Sequence, residues 1–449
     1  MGMNDAVIAP AVKDEPLAAV VTTDLAAITR GRFVAAKNLE RIASTGIGWV
    51  PANISLTAFN SIPEQNPWGA RGDLRVLPDL EARYRTAATG SPTPFDMVIG
   101  NIVQLDGSPW NCCTRTQLRE ALADLRDLTG MSMLASFEHE FQLFGAQFAP
   151  AHSLSLEALR RADPFAPRLM SALAEAGVDP EVVIAEFGVN QFEVTCAPAE
   201  AITAADRSIA IREITREIAR NAAWRASFAP KTSPDGVGNG VHVHFSFRDA
   251  GGKPATYAAS GPGGLSAAAG AFCAGILRHL PGMTALTAPS VPSYFRLKPH
   301  NWSASYTWLG QQHREATLRI CPVVTIPGSD PASQYNIEFR ATDATANPYL
   351  VLTALVRAGI EGIRAKLPTP ALVAEDPTLM SESRRAGLGL HRLPESLDLA
   401  LGALAADHTL NGWFPPAFLE SFHGVRRAEM ALLSKLDPGA ICDQYRDLY

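Results

Sequence analysis

The chain has no Cys-x-x-Cys pair. Its six cysteines (Cys112, Cys113, Cys196, Cys273, Cys321 and Cys442) are scattered through 449 residues. That spacing suggests neither a disulfide framework nor a zinc site, and reduced thiols are the expectation. A basic excess is also missing: 39 Lys and Arg stand against 45 Asp and Glu, a formal charge of -6. A general nucleic-acid binder needs a basic face, so that class is set aside. The most apolar stretch, Ala267 to Leu277, is too short to span a bilayer. The first residues, with Asp5, Asp14 and Glu15, lack the basic start and apolar core of a secretory leader. There is no internal repeat and no low-complexity tract. A cytoplasmic protein with no membrane or nucleic-acid partner is expected.

What is present describes an ordinary globular chain, 47% apolar and 19% charged. Its length argues for two domains. Residues up to about Lys13 read as a disordered lead. Residues 14–105 read as a small strand-rich domain. It has strands near Ala18–Thr23 and Arg32–Val34, a helix over Lys37–Ser44, and a loop-rich stretch at 51–75. A buried strand, Met97–Gln104, closes it at the Asp106-Gly107 turn. Residues 108–449 mix strands and helices and imply a large catalytic domain, α/β or α+β. Helices are expected at Thr116–Leu128, Ala201–Trp224 and Leu265–Leu280, the last stopped by Pro281-Gly282. Another opens at Asn347-Pro348, with Asn347 as the cap, and further ones lie at Leu397–Ala406 and Arg426–Leu436.

Three segments carry the chemistry. They read Phe137-Glu138-His139-Glu140-Phe141, Val241-His242-Val243-His244-Phe245-Ser246 and Asn336-Ile337-Glu338-Phe339-Arg340. Side chains alternate along a strand, so Glu138 joins Glu140 on one face, His242 joins His244 and Ser246, and Glu338 joins Arg340. Mostly apolar residues take the other face. Carboxylates and imidazoles suit a divalent metal, and arginines suit phosphate. The combination points to metal-assisted phosphoryl transfer. Taken singly, each motif has a bland explanation: solvated strand carboxylates, structural histidines, surface arginines, and loop glutamates at Glu186 and Glu193. Their conjunction does not.

In this order the motifs resemble the glutamine synthetase family across nearly the whole chain. Further signposts are Asn190-Gln191-Phe192-Glu193, Gly238-Asn239-Gly240, Tyr294-Phe295-Arg296-Leu297, Arg314 with Arg319, and Ala346-Asn347-Pro348-Tyr349. The resemblance implies an α+β fold: a β-grasp-like N-terminal domain, then a catalytic domain with a curved antiparallel sheet. It implies two to three Mg²⁺ or Mn²⁺ ions per active site. Glu140, Glu186 and Glu193 would hold one, and Glu138, His242 and Glu338 a second. His244, Ser246, Arg314 and Arg319 would meet ATP phosphates. Arg296 and Gly238 would bind the amino-acid end of L-glutamate, and Arg314 and Arg340 would neutralise the transferring phosphoryl group. The expected product is a γ-glutamyl amide, made through γ-glutamyl phosphate. A homododecamer of two hexameric rings is implied as well, with residues 49–68 facing a neighbour's Trp302.

The departures bear on the amine. Val50 and Trp302 stand where ammonia-using members carry carboxylates. An ammonium ion between apolar groups would suffer a large desolvation cost. Trp302, with Trp49, Val50, Phe59 and Trp68, suggests a pocket for an apolar alkyl- or arylamine. The alternatives are a polyamine, with Glu64 for its distal cation, and ammonia itself. Val237 replaces an asparagine, Asn336 an arginine, and His391 a tyrosine that some bacterial members adenylylate. A non-catalytic member would be expected to lose metal ligands, and all six are here.

Overall fold

The computed structural model describes residues 15–449. The expected disordered lead lies outside the described residues. Five strands make the first sheet: β1 (Leu17–Thr23), β2 (Thr29–Ala35), β3 (Ile47–Trp49), β4 (Leu74–Thr86) and β5 (Phe95–Val103). Their order is β2-β1-β5-β4-β3, and β1 and β5 run parallel at its centre. This is the β-grasp-like arrangement that was expected. Strand β4 went unread in the sequence. Its charged run, with Pro78 and a bulge between Pro78 and Arg83, hides the period-two pattern.

Nine strands make the second sheet, which is curved and nearly closed. They are β6 (Ser132–Phe144), β7 (Pro180–Ala185), β8 (Gln191–Cys196), β9 (Ala199–Glu200), β10 (Arg225–Ser227), β11 (Val241–Arg248), β12 (Leu309–Gln311), β13 (Leu318–Ile320) and β14 (Ile337–Phe339). The main path is β12-β13-β14-β11-β6-β8-β7, with β9 and β10 paired to β6. All pairs are antiparallel except β12 with β13, a parallel pair at one edge of the sheet.

One face of this sheet is core. Val241, Val243, Phe245 and Phe247 are buried there, and Phe247 packs on Phe272 with ring centroids 4.8 Å apart. Phe272 belongs to the helix Ala267–Thr287, which crosses the helix Pro348–Arg364 at close range. A Cβ on Gly275 would sit 2.0 Å from the Ala358 carbonyl oxygen, so only glycine permits the approach. This helix was expected to stop at Pro281-Gly282 but runs six residues beyond Pro281, to Thr287. A proline in a helix interior costs about 3 kcal/mol. Full burial of Met283, Ala285 and Leu286 outweighs it. The final expected helix begins earlier than Arg426, at Pro416, whose ring suits a first turn.

Two buried connections tie the sheets together. Asn347 caps its helix, its side-chain oxygen accepting from the Tyr349 N–H at 3.0 Å. Its amide nitrogen donates to the carbonyls of Thr23 (3.2 Å) and Asp24 (3.0 Å) at the end of β1. In the helix Pro416–Leu433, Arg426 and Glu429 pair at 2.7 Å with both side chains fully buried. Glu429 also accepts from the Ala58 N–H at 2.8 Å, and Arg426 donates to the Leu25 carbonyl. Breaking such a pair strands a buried charge, at a cost of about 3–5 kcal/mol. Glu429→Ala should therefore lower the melting temperature markedly, while Glu420→Ala on the same helix should not. Scanning calorimetry on both variants checks this, and equal melting temperatures would contradict the assignment.

Candidate active site

Strand register assembles the site. Glu193 on β8 lies opposite Glu140 on β6. Glu138 on β6 lies opposite His242 on β11. His244 on β11 lies opposite Glu338 on β14, and Glu338 opposite Arg319 on β13. Cross-strand partners share a face. Five strands thus carry their carboxylates, imidazoles and guanidinium to the side away from the core. His139, between the two glutamates of β6, shows the alternation: it is fully buried on the other face, 3.0 Å from the Ser208 hydroxyl. Burial, aided by Arg212, pushes its pKa down to about 3, so it stays neutral.

His242 sits at the centre, its Nδ1 3.5 Å from carboxylate oxygens of both Glu138 and Glu338. His244 Nε2 is 3.0 Å from Glu138. Glu338 takes a 2.6 Å pair from Arg319 and another from Arg340. Glu140 accepts from the Gly240 N–H at 2.7 Å, and Glu186 lies just past β7. Glu193, read from sequence as a loop residue, is in a strand. Donor atoms of Glu138, Glu193 and His242 lie within 4.8 Å of one another, as do those of His244, Cys321 and Glu338. The first grouping draws Glu193 toward Glu138 and His242. The expected sets put it with Glu140 and Glu186.

The charges are uneven. Glu193 is pushed up to about 9, by burial first and then by Glu138, Glu140, Glu186 and Glu338. Glu186 is raised by burial and by Glu140. For Glu138, burial is outweighed by hydrogen bonds to His242 and His244, which hold it well below the usual range. Glu338 faces the same burial, but His242 and Arg340 bring it to about 2. An oxygen-rich, mutually repelling set of this kind fits a hard divalent ion such as Mg²⁺ or Mn²⁺.

The arginines are held but not exhausted. Arg296 donates to the Thr342 carbonyl at 2.5 Å, and Arg340 to the Trp302 carbonyl at 2.9 Å. The Nε atoms of Arg296, Arg319 and Arg340 are buried without a partner, which suits anionic substrates. Gly238 lies against Arg296, where a Cβ would come 2.7 Å from the arginine stem. Ser246 shares the polar face of β11, opposite Leu134 on β6. Arg314 is exposed in the turn before β13, and its charge reaches Glu186.

Asn336, noted only as a departure, accepts through its side-chain oxygen from His244 Nδ1 at 2.8 Å and orients that ring. Trp302 is 61% exposed and has φ of 52°; its N–H donates to Glu315 at 2.7 Å. Its ring lies 6.0 Å from that of Phe187, which follows Glu186 directly. Phe187 was missed in the sequence, although an exposed aromatic beside a candidate ligand was the available signal. Phe187, Val189, Asp235 and Val237 line a neighbouring cavity of about 530 Å³. Trp49 is not a pocket wall: it is 4% exposed and packs in the core of the first sheet. Val50 is half-buried at the end of β3, while Glu64 is exposed. Phe59 packs on Tyr445 and Trp68 on Trp110.

The model of the glutamine synthetase catalytic domain matches residues 111–437, and that of the glutamine synthetase N-terminal domain matches residues 5–110. The chain belongs to the glutamine synthetase family. It is 34% identical to a gamma-glutamylpolyamine synthetase of Streptomyces coelicolor, over 95% of this chain and 92% of that one. It is 30% identical to a glutamine synthetase of Pyrococcus furiosus, over 86% and 84% respectively. A crystal structure of a glutamine synthase homolog superposes with a TM-score of 0.90 at 43% identity, covering 98% and 100% of the two chains. A GmaS–ADP complex gives 0.80 at 27%, covering 94% and 95%. As a member of the family, the protein is an ATP-dependent ligase that forms C–N bonds. Among the described residues, no helix is long and apolar enough to cross a membrane.

Glu193 gives a pH prediction. Unfolded, it titrates near 4.5; folded without metal, near 9. Between those values the folded state holds the extra proton, so metal-free stability falls as pH rises through that window. Bound Mg²⁺ should reverse the trend, because it needs the carboxylate charged. Melting curves from pH 5 to 9 in chelator and in Mg²⁺ test both statements. Glu193→Gln should flatten the chelator series, and an unchanged slope would refute the assignment.

Proposed function

We propose that the protein joins an organic amine to the γ-carboxylate of L-glutamate at the expense of ATP. Driving a carboxylate onto a triphosphate brings two anions together, and the site supplies the opposing charge. In this reading Arg296, packed by Gly238, grips the α-carboxylate of glutamate. Arg340 and Arg314 steady the γ-carboxylate and the phosphoryl group in transfer. His244, Ser246 and Arg319 contact ATP phosphates. Glu140, Glu186 and Glu193 hold one divalent ion, and Glu138, His242 and Glu338 another. When bound, these ions neutralise phosphate charge and orient the reactants. Glu338 fixes Arg340 and Arg319, so the guanidinium groups are set before substrate arrives. The γ-carboxylate oxygen attacks the γ-phosphorus and ADP leaves. The amine then attacks the acyl phosphate, releasing phosphate and a proton.

The amine reading is carried by Trp302 with Phe187 beside Glu186, an apolar platform of two aromatic rings 6.0 Å apart. It supports a monoamine with an alkyl or aryl body. A polyamine is the second reading. Its support is the 34% identity to the gamma-glutamylpolyamine synthetase and Asp235 in the adjoining cavity, placed to meet a distal cation. Ammonia, the remaining alternative, has the 30% identity to a glutamine synthetase in its support, but Trp302 and Val50 stand where a carboxylate for ammonium would be expected. Trp302 is exposed in the single subunit, which supports a ring assembly, a homododecamer, in which a neighbour's Val50 segment covers it.

Phosphate release with ATP, Mg²⁺ and L-glutamate is to be measured across ammonia, methylamine, ethanolamine, isopropylamine, aniline, putrescine and spermidine. Turnover with an organic amine well above that with ammonia is expected. Trp302→Ala should raise KM for that amine roughly tenfold with little change in KM for ATP. A preference for ammonia would overturn the reading, and a preference for spermidine that Asp235→Asn abolishes would select the second.

A further inference from the structure

We infer that His244, Cys321 and Glu338 form a second kind of metal site, one for a thiophilic cation of the Zn²⁺ class, and that its occupancy shuts the ligase off. Cys321 follows β13 directly, and its backbone N–H donates to the Asn336 carbonyl at 3.2 Å. Its Sγ lies 3.6 Å from His244 Nδ1 and 3.9 Å from a Glu338 oxygen. A tetrahedral ion with bonds of about 2.0–2.3 Å sets its ligand atoms roughly 3.3–3.8 Å apart. The two sulfur spacings stand near that range already, and all three donors lie within 4.8 Å of one another. A thiolate, an imidazole and a carboxylate with one open position make a borderline-soft set. Mg²⁺ prefers six oxygens at about 2.0–2.1 Å and has no use for sulfur. The site therefore discriminates by donor chemistry from the oxygen-rich set around Glu138 and Glu193.

Binding would exchange protons for metal: the thiol proton, and the imidazole proton where His244 carries one, go to solvent. Two neighbours must yield. Asn336 gives up its contact with His244 Nδ1. Arg319, 3.9 Å from Cys321 Sγ and 2.6 Å from Glu338, must swing aside. Its Nε has no partner to lose. The consequence for activity rests on the proposed function. There Glu338 is a ligand of the catalytic ion and His244 a phosphate contact. Neither can serve both sites, so the thiophilic ion competes with Mg²⁺.

The binding half can be read without catalysis. Cd²⁺ titrated into the metal-free full chain should produce a near-ultraviolet thiolate-to-metal band that saturates at one equivalent, and Zn²⁺ should erase it. Cys321→Ser should lose the band, Cys321→Ala should do the same, and Cys112→Ser should keep it. Zn²⁺ should inhibit the Mg²⁺-supported ligase, with Cys321→Ser needing roughly tenfold more or beyond. No band, or one that survives in both Cys321 variants, overturns the site. Equal inhibition of wild type and Cys321→Ser overturns the competition. A ligase inactive toward every amine would sink the proposed function, and the Cd²⁺ band would still decide whether the thiophilic site exists.

Discussion

Like charges crowded onto one face of a sheet set the terms for the rest of this molecule. Glu138, Glu140, Glu193 and Glu338 come from three strands, with Glu186 at the rim. Burial, together with their repulsion, pushes Glu193 up to about 9 and keeps it protonated near neutrality. Such a face survives folding only if cations are built in or bound. The histidines of β11, Arg319 of β13 and Arg340 just past β14 answer one half of it, lowering Glu138 and Glu338. The half around Glu193, Glu140 and Glu186 has no equal counter-charge, an imbalance that a divalent ion would relieve under the proposed function.

Rigidity follows from the same constraint. A buried arginine is useful to an anionic substrate only if it is already desolvated and aimed. Arg340 is held between Glu338 and the Trp302 carbonyl, and Arg296 between backbone carbonyls and the Gly238 stem contact. Each keeps a donor free. Desolvation is met largely during folding, leaving the guanidinium groups aimed before any anion arrives. Behind them, the close helix pair at Gly275 and the Asn347 clamp keep the sheet from yielding to the repulsion on its face.

Much of this was legible in the sequence because a strand's alternation is a local property. Glu138 with Glu140, and His242 with His244, could be set on one face with no knowledge of their neighbours. Register could not be read, because it depends on contacts between segments a hundred residues apart. That is why Cys321 passed for an ordinary thiol and Asn336 for a mere departure. Both matter only because β14 lies against β13 and β11. Pro281 misled because proline's local cost was outweighed by tertiary burial. Trp49 misled because aromatic character says nothing about which side of a three-residue strand is buried. Phe187 was within reach, being exposed beside Glu186, but its partner Trp302 is 115 residues away in the sequence.

In the proposed reaction this face brings two anions, a carboxylate and a triphosphate, together. L-Glutamate labelled with oxygen-18 in the γ-carboxylate tests it most directly, turned over with ATP and whichever amine is used best. If the carboxylate attacks phosphorus, each phosphate released carries one labelled oxygen and the amide keeps the other. Unlabelled phosphate alongside a fully formed amide would mean that ATP cleavage and bond formation are coupled some other way, and the account of this site would be wrong.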